Sequence, residues 1–293
     1  MKFIIILVCL GLERFSGVGS LLKRFSWFNQ YVELYKPLTH SNLITIGGGS
    51  LGILLIALPI PVIVAIIYCL LWSKLNGLIS LLIGILVLLY CIGPKDLFQE
   101  VKAYQTALSS GDRETANKKI MSLVNGALPT DDKALAHMLT ENIFIQANTR
   151  IFGVLLWFCI FGPFGALFYR MITLLRFEAE QVNSPFANLA KMTVLFQDVL
   201  DWLPVRFFTL GYTVVGNFSK SFAFWIDNVL TGTDANRELL IECPMQALGT
   251  SKEESLVAQN PFAENNSALE IIDRVLVVFM VVAAIFTLGA WVY

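Results

Sequence analysis

The sequence predicts an all-α fold, a polytopic helical integral membrane protein carrying a cytoplasmic helical insert. Three observations predict it. Hydrophobic residues make up 56% of the 293 and charged residues only 15%, against about 45–50% and about 25% in soluble domains. The apolar residues are blocked into runs at 43–72, 77–93, 151–169, 192–216 and 275–292. One charged stretch, 95–150, interrupts them, and its apolar residues recur at helical spacing.

The same composition excludes several functions. A net charge of −1 and a pI of about 6.2 exclude nucleic acid as a partner and leave the lipid bilayer as the main one. His40 and His137 are far apart, which argues against a histidine-rich metal centre and against a Ser/His/Asp arrangement. No residues are assigned as catalytic or as metal ligands. Cys9, Cys69, Cys91, Cys159 and Cys243 contain no Cys-x-x-Cys pair, and four lie in apolar runs, so they read as buried thiols.

Taken in order, residues 1–94 form the N-terminal membrane helices. Phe3 to Leu12 are apolar or small and Glu13-Arg14 closes the run. The run is either a retained, partly inserted helix or a signal-peptide core with a site at Gly17-Val18-Gly19. The 43–72 run exceeds the roughly 20 residues of one straight span. Pro59 and Pro61 interrupt it, giving either a kinked span or a hairpin turned at 58–61. The 77–93 run stops at Gly93-Pro94.

Residues 95–150 form the insert. Val101, Tyr104 and Leu108, then Ala116, Ile120, Leu123 and Val124, make amphipathic stripes. Ser110-Gly111 separates two helices, Asp112 caps the second, and Thr130 caps a third that runs through Glu141. Residues 151–230 return to the membrane, with a kink at Phe161–Gly165 and a Pro204 break in the 192–216 helix. Residues 231–274 read as a polar, acidic, loosely folded loop, and 275–293 as a C-terminal transmembrane helix. Treating 43–93 as a hairpin puts Arg14, Lys23, Arg24, Lys36 and the insert's lysines on one side and only Lys74 on the other. By the positive-inside rule the insert is cytoplasmic.

The ionisable residues in apolar runs are the candidate site. Asp198 and Asp201 are three apart, followed by Pro204 and Arg206. An aspartate at a helix centre in a bilayer costs roughly 2.5–3.5 kcal/mol on insertion scales. Either the group builds a polar pocket or cation site at a broken helix, or it lies at the interface with Arg206 paired to a carboxylate. Glu13 and Arg14, Glu141 and Asn142, and Arg170 join the candidates, each with a plainer reading as an interfacial anchor, a solvated face or a snorkelling arginine.

Asp201-Trp202-Leu203-Pro204-Val205-Arg206 resembles the Asp-x-(Leu/Ile)-Pro-(Ala/Val)-Arg segment of the CobD/CbiB superfamily of membrane proteins. Glu13-Arg14, Lys102-Ala103-Tyr104, Thr140-Glu141-Asn142 and Gly162-Pro163-x-Gly165-Ala166-x-x-Tyr169-Arg170 agree in order, so the likeness covers most of residues 1–216. Within that superfamily the sequence is most similar to the AmpE family. That resemblance implies a bacterial inner-membrane regulator or sensor of cell-wall recycling and β-lactamase induction, acting alongside the cytoplasmic amidase AmpD. The enzymatic branch is an amide-forming ligase using ATP and magnesium. Here its Glu-Asn-x-x-Asp-Gly stretch reads Glu141-Asn142-Ile143-Phe144-Ile145-Gln146, so a candidate carboxylate ligand is replaced by Ile145. The expectation is therefore a regulator with a polar ligand pocket formed by Glu13, Arg14, Glu141, Asn142, Arg170, Asp198, Asp201 and Arg206. A nucleotide with magnesium is the cofactor that the superfamily implies for such a pocket.

Overall fold

A computed structural model describes residues 2–16, 26–36, 49–72, 77–92, 97–121, 123–124, 128–129, 131–181, 184–249 and 262–292. Among these residues the regular structure is entirely helical. The Gly47-Gly48 and Gly93-Pro94 breaks, Thr130 and Lys74 lie outside the described residues, as does the side chain of Arg14.

The chain divides into two compact units, each built from two segments: 1–94 with 149–201, and 95–148 with 202–293. The first unit holds α1 (Lys2–Ser16), α2 (Ser26–Glu33), α3 (Ser50–Ala57), α4 (Pro59–Trp72) and α5 (Leu78–Cys91). It also holds α9 (Gly153–Phe161), α10 (Pro163–Ala179) and the first half of α11 (Ala190–Val215). Its core is apolar: Phe28, Ile53, Ile56, Ile172, Leu175 and Phe186 bury one another. Many of its outward residues are apolar too. Leu51, Leu55, Val62, Ile63, Ile66, Leu70, Leu78, Leu82 and Leu86 are all exposed. A helix apolar on every side cannot be satisfied by water on one of them.

The Pro59/Pro61 segment bends by 41° between α3 and α4. Within the described part of the 43–72 run, 49–72, the two helices thus meet at a bend placed where the prolines stand. Tyr31 donates to the Ile56 carbonyl at 2.6 Å, which ties α2 to the last turn before the bend. The continuous helix Lys133–Phe161 is long and apolar enough to cross a membrane, and the bent pair α3–α4 is so if taken as one span. α5, at 14 residues, is shorter.

The 151–169 run is not a kinked span. Gly162 has φ 65° and Pro163 opens α10, so the chain turns back on itself there, in a conformation that glycine tolerates and other residues resist. A Cβ on Gly153 would fall 2.3 Å from the Tyr169 ring, and one on Gly165 would fall 2.3 Å from the Trp157 carbonyl oxygen. Only glycines allow α9 and α10 to lie this close, as an antiparallel hairpin.

The second unit holds α6 (Leu97–Ser109), α7 (Arg113–Ile120), α8 (Asp132–Ala147), the rest of α11, α12 (Phe218–Asn228), α13 (Asn236–Leu248) and α14 (Ala263–Val292). The stripe residues Val101, Tyr104, Ala116, Ile120, Leu123 and Val124 are buried. Asp112 caps α7 by accepting from the Thr115 amide at 3.0 Å. Asp131 caps α8 by accepting from the Ala134 amide at 3.0 Å, one residue past the expected Thr130. The 231–274 loop is a correction. Helix α13 and the start of α14 occupy most of it, because Leu239, Leu240, Cys243 and Met245 bury an apolar face that a count of its charges obscures. Pro244 sits inside that helix, and α14 begins a dozen residues before 275.

Candidate functional site

In the first unit, Asp201 is 8% exposed. Its Oδ1 accepts from the Tyr169 hydroxyl at 2.6 Å and its Oδ2 accepts from Gln197 Nε2 at 2.9 Å. Gln197 lies one turn earlier on α11, and its Oε1 accepts from Thr173 Oγ1 at 3.2 Å. Each carboxylate oxygen thus has a donor, which is what a carboxylate needs to persist away from water. Tyr169 reaches Asp201 because Gly153 leaves room for its ring. Asp198 is half-buried, and Gln197 is a neighbour that joins Asp201.

Arg170, 3% exposed, serves the backbone. Its Nε donates to the Cys91 carbonyl at 2.8 Å, its Nη2 donates to the same oxygen, and Nη2 also donates to the Arg150 carbonyl at 3.2 Å. Cys91 ends α5, so the guanidinium meets the negative end of a helix dipole and satisfies an orphan carbonyl. The snorkelling expectation for Arg170 is corrected by this burial.

Pro204 does not break α11, which runs from Ala190 to Val215 through it. A proline removes the bond to the carbonyl four residues back, here Leu200. That oxygen accepts instead from Trp157 Nε1 at 3.1 Å.

In the second unit, Arg206 is 5% exposed and every N–H of its guanidinium has an acceptor. Nε donates to Val229 O at 3.2 Å. Nη1 donates to Trp202 O at 3.3 Å and to Asn236 Oδ1. Nη2 donates to Thr231 O and Gly232 O, each at 2.9 Å. The guanidinium also lies 4.8 Å from the centre of the Trp202 ring, at cation–π distance. The Trp202 indole donates to Thr231 O at 3.2 Å. The arginine is a clamp on the α12–α13 connection, not the partner of an aspartate that the interfacial reading made it.

Glu141 and Asn142 lie on α8 in the second unit, both half-buried. Asn142 Nδ2 returns to its own helix at Met138 O, 2.8 Å. Glu141 belongs to a group that sequence reasoning missed. His137 Nδ1 stands 3.0 Å from Glu264 Oε1, and its Nε2 stands 3.5 Å from Glu141 Oε1. Beside it Asn265 Nδ2 donates to Ala136 O at 2.9 Å and Thr140 Oγ1 at 2.8 Å. The signal available was the placing of Ala136, His137, Thr140 and Glu141 on one helical face. The partners, Glu264 and Asn265, fell in the segment read as a loop. Glu13 is half-buried on α1.

The candidate residues therefore fall in two groups. Glu13, Arg170, Asp198 and Asp201 belong to the first unit, while Glu141, Asn142 and Arg206 belong to the second.

Comparison with known proteins adds to this geometry. A family model described as regulatory signalling modulator protein AmpE matches residues 1–292. The chain is similar to cobalamin biosynthesis protein CobD of Chromobacterium violaceum, 24% identical over 175 residues, 59% of this chain and 56% of that protein. It is similar to CobD of Stutzerimonas stutzeri, 25% identical over 160 residues, covering 52% and 53%. It is also similar to protein AmpE of Shigella flexneri, 25% identical over 189 residues, covering 61% and 64%. The chain thus spans between half and two thirds of the length of these curated relatives. No solved structure matches it.

Proposed function

The chain belongs to the AmpE family of regulatory signalling modulator proteins, and from that premise we propose that it is a multi-pass protein of a bacterial inner membrane that senses cell-wall recycling and modulates β-lactamase induction. Its signal passes to the cytoplasm, where the amidase AmpD is the functional partner. The polar interior around Asp201 is the ligand-responsive element. One observation carries this reading: Asp201 is buried with Tyr169 and Gln197 in a unit whose outward side chains are largely apolar. An ionisable residue at membrane depth marks function by default, and a pocket lined by such a network responds to whatever competes for its hydrogen bonds.

The test is thermal stabilisation in detergent. Soluble peptidoglycan fragments are expected to raise the melting temperature of the wild type and to leave Asp201→Asn unchanged. If neither a fragment, a nucleotide nor magnesium shifts the wild type, the ligand-binding part of the reading is lost. Deleting the gene in a strain with inducible β-lactamase tests the regulatory part separately, through the level of enzyme after induction.

A second reading is favoured by the similarity to CobD proteins: an ATP- and magnesium-dependent amide-forming ligase. It requires ATP consumption in the presence of an amine and a carboxylate donor, abolished by Asp198→Ala or Asp201→Ala. Unchanged ATP over hours of incubation removes it.

A further inference from the structure

We propose that the turn between α9 and α10, with Lys2 seated on it, is an anchor at the anionic headgroup layer of the bilayer, from which α9 and α10 run inward as an antiparallel pair and α10 crosses. The proposal rests on the membrane reading above and adds a placement that the reading lacks.

Two close contacts fix the antiparallel arrangement. Gly153 lies against the Tyr169 ring and Gly165 against the Trp157 carbonyl. These pairs advance by four residues in opposite directions, so the tip is at 161–163. Away from the tip, Arg170 reaches the Arg150 carbonyl, which continues the same register. Length then decides what the pair can do. The 17 residues of α10 extend about 25 Å at ~1.5 Å per residue. A hydrocarbon core is about 30 Å thick, so α10 reaches nearly across. The single crossing by 151–169 that the sequence implied is excluded, because the halves of that run lie side by side.

Charge places the tip. Lys2 is exposed, and its ammonium donates to the carbonyls of Cys159 at 3.0 Å and Ile160 at 3.1 Å. These carbonyls end α9, where no intrahelical N–H reaches them. An ammonium is costly at the bilayer centre and at home among headgroup phosphates. Next to it, Ile160 is 42% and Phe161 57% exposed, and Trp157 stacks on Phe161 with ring centres 5.8 Å apart. A cation flanked by exposed apolar and aromatic side chains matches the boundary between phosphate and acyl chain.

The experiment uses the full chain in native membranes, with Cys69 and Cys159 replaced by serine and the buried cysteines kept. Single cysteines are placed by Phe161→Cys and Gln181→Cys and probed with a membrane-impermeant maleimide on intact spheroplasts and on opened membranes. The expected result is that Gln181→Cys reacts from one side and Phe161→Cys from the other. A protease site inserted after Phe161 should be cut from the side on which Phe161→Cys reacts. If the 161 and 181 positions react from the same side, the crossing by α10 is wrong. If position 161 is shielded from both sides, the headgroup placement is wrong. Recovery of the chain in the soluble fraction would overturn the membrane reading itself, an outcome distinct from either.

Discussion

Arg206 donates all five of its N–H groups to oxygens of its own unit. A hydrogen bond to a charged group contributes about 1.5–3 kcal/mol, and an acceptor stranded by its loss costs a further ~1–3 kcal/mol. Arg206→Ala is therefore expected to cost about 3 kcal/mol or more, read as a clear fall in melting temperature in detergent. Arg206→Lys should recover little, because an ammonium has three donors and no planar fork. A wild-type melt for Arg206→Ala would remove the clamp. Asp112 makes a prediction about pH. The Thr115 side chain and backbone N–H donate to its carboxylate and hold it below the usual carboxylate range. With the folded pKa depressed, the cap's contribution is complete above the ordinary value of 3.8 and disappears as pH falls through the folded one. Amide exchange in α7, corrected for intrinsic rates, should accelerate in that acid window in the wild type. Asp112→Asn, which caps without a charge, should show no such step. An identical acid step in both would assign it elsewhere.

The α9–α10 hairpin carries the prediction at the scale of elements. Overpacking a tight contact costs about 1–3 kcal/mol. Gly153→Ala must push the Tyr169 ring aside and break its bond to Asp201, whereas Gly165→Ala meets a backbone oxygen that cannot rotate away. Both are expected to melt lower than the wild type, Gly165→Ala the lower of the two, with equal melts arguing against the tight hairpin. This element also shows how far the sequence could be read. Blocked apolar runs located the apolar helices, and Asp112 and the stripe residues of the insert were legible because local rules govern caps and helical faces. The hairpin was not legible, because a run apolar on all sides has no period to lose when it turns back. The Asp201 motif announced its cost, but its partner Tyr169 is 32 residues away and Glu264 is 127 from His137. No local pattern encodes such pairings. The 231–274 segment was misread because charges such as Arg237, Glu238 and Glu242 are interleaved with the buried face that folds α13.

Across the whole molecule, the chain's order and its packing disagree, and the disagreement is testable. A reading by sequence makes 95–150 an insert standing by itself. In the structure 95–148 and 202–293 are parts of one unit. Asn265 on α14 binds Ala136 and Thr140 on α8, Glu264 meets His137, and Gln105 on α6 donates to Asn266 at 3.0 Å. Asn265 is fully buried, so Asn265→Ala removes two hydrogen bonds at a site that water cannot refill, a loss of about 1–3 kcal/mol. That loss falls on α6–α8 although the substitution lies more than a hundred residues along the chain from them. Limited proteolysis of the full chain in detergent should therefore show earlier cleavage at the exposed Ser109–Arg113 turn in Asn265→Ala than in the wild type. The bonds of the α9–α10 hairpin, which belong to the other unit, should be cut no faster. Cleavage at 109–113 that ignores the substitution would mean that the insert stands alone after all, and acceleration everywhere would mean that the two units do not hold their structure separately.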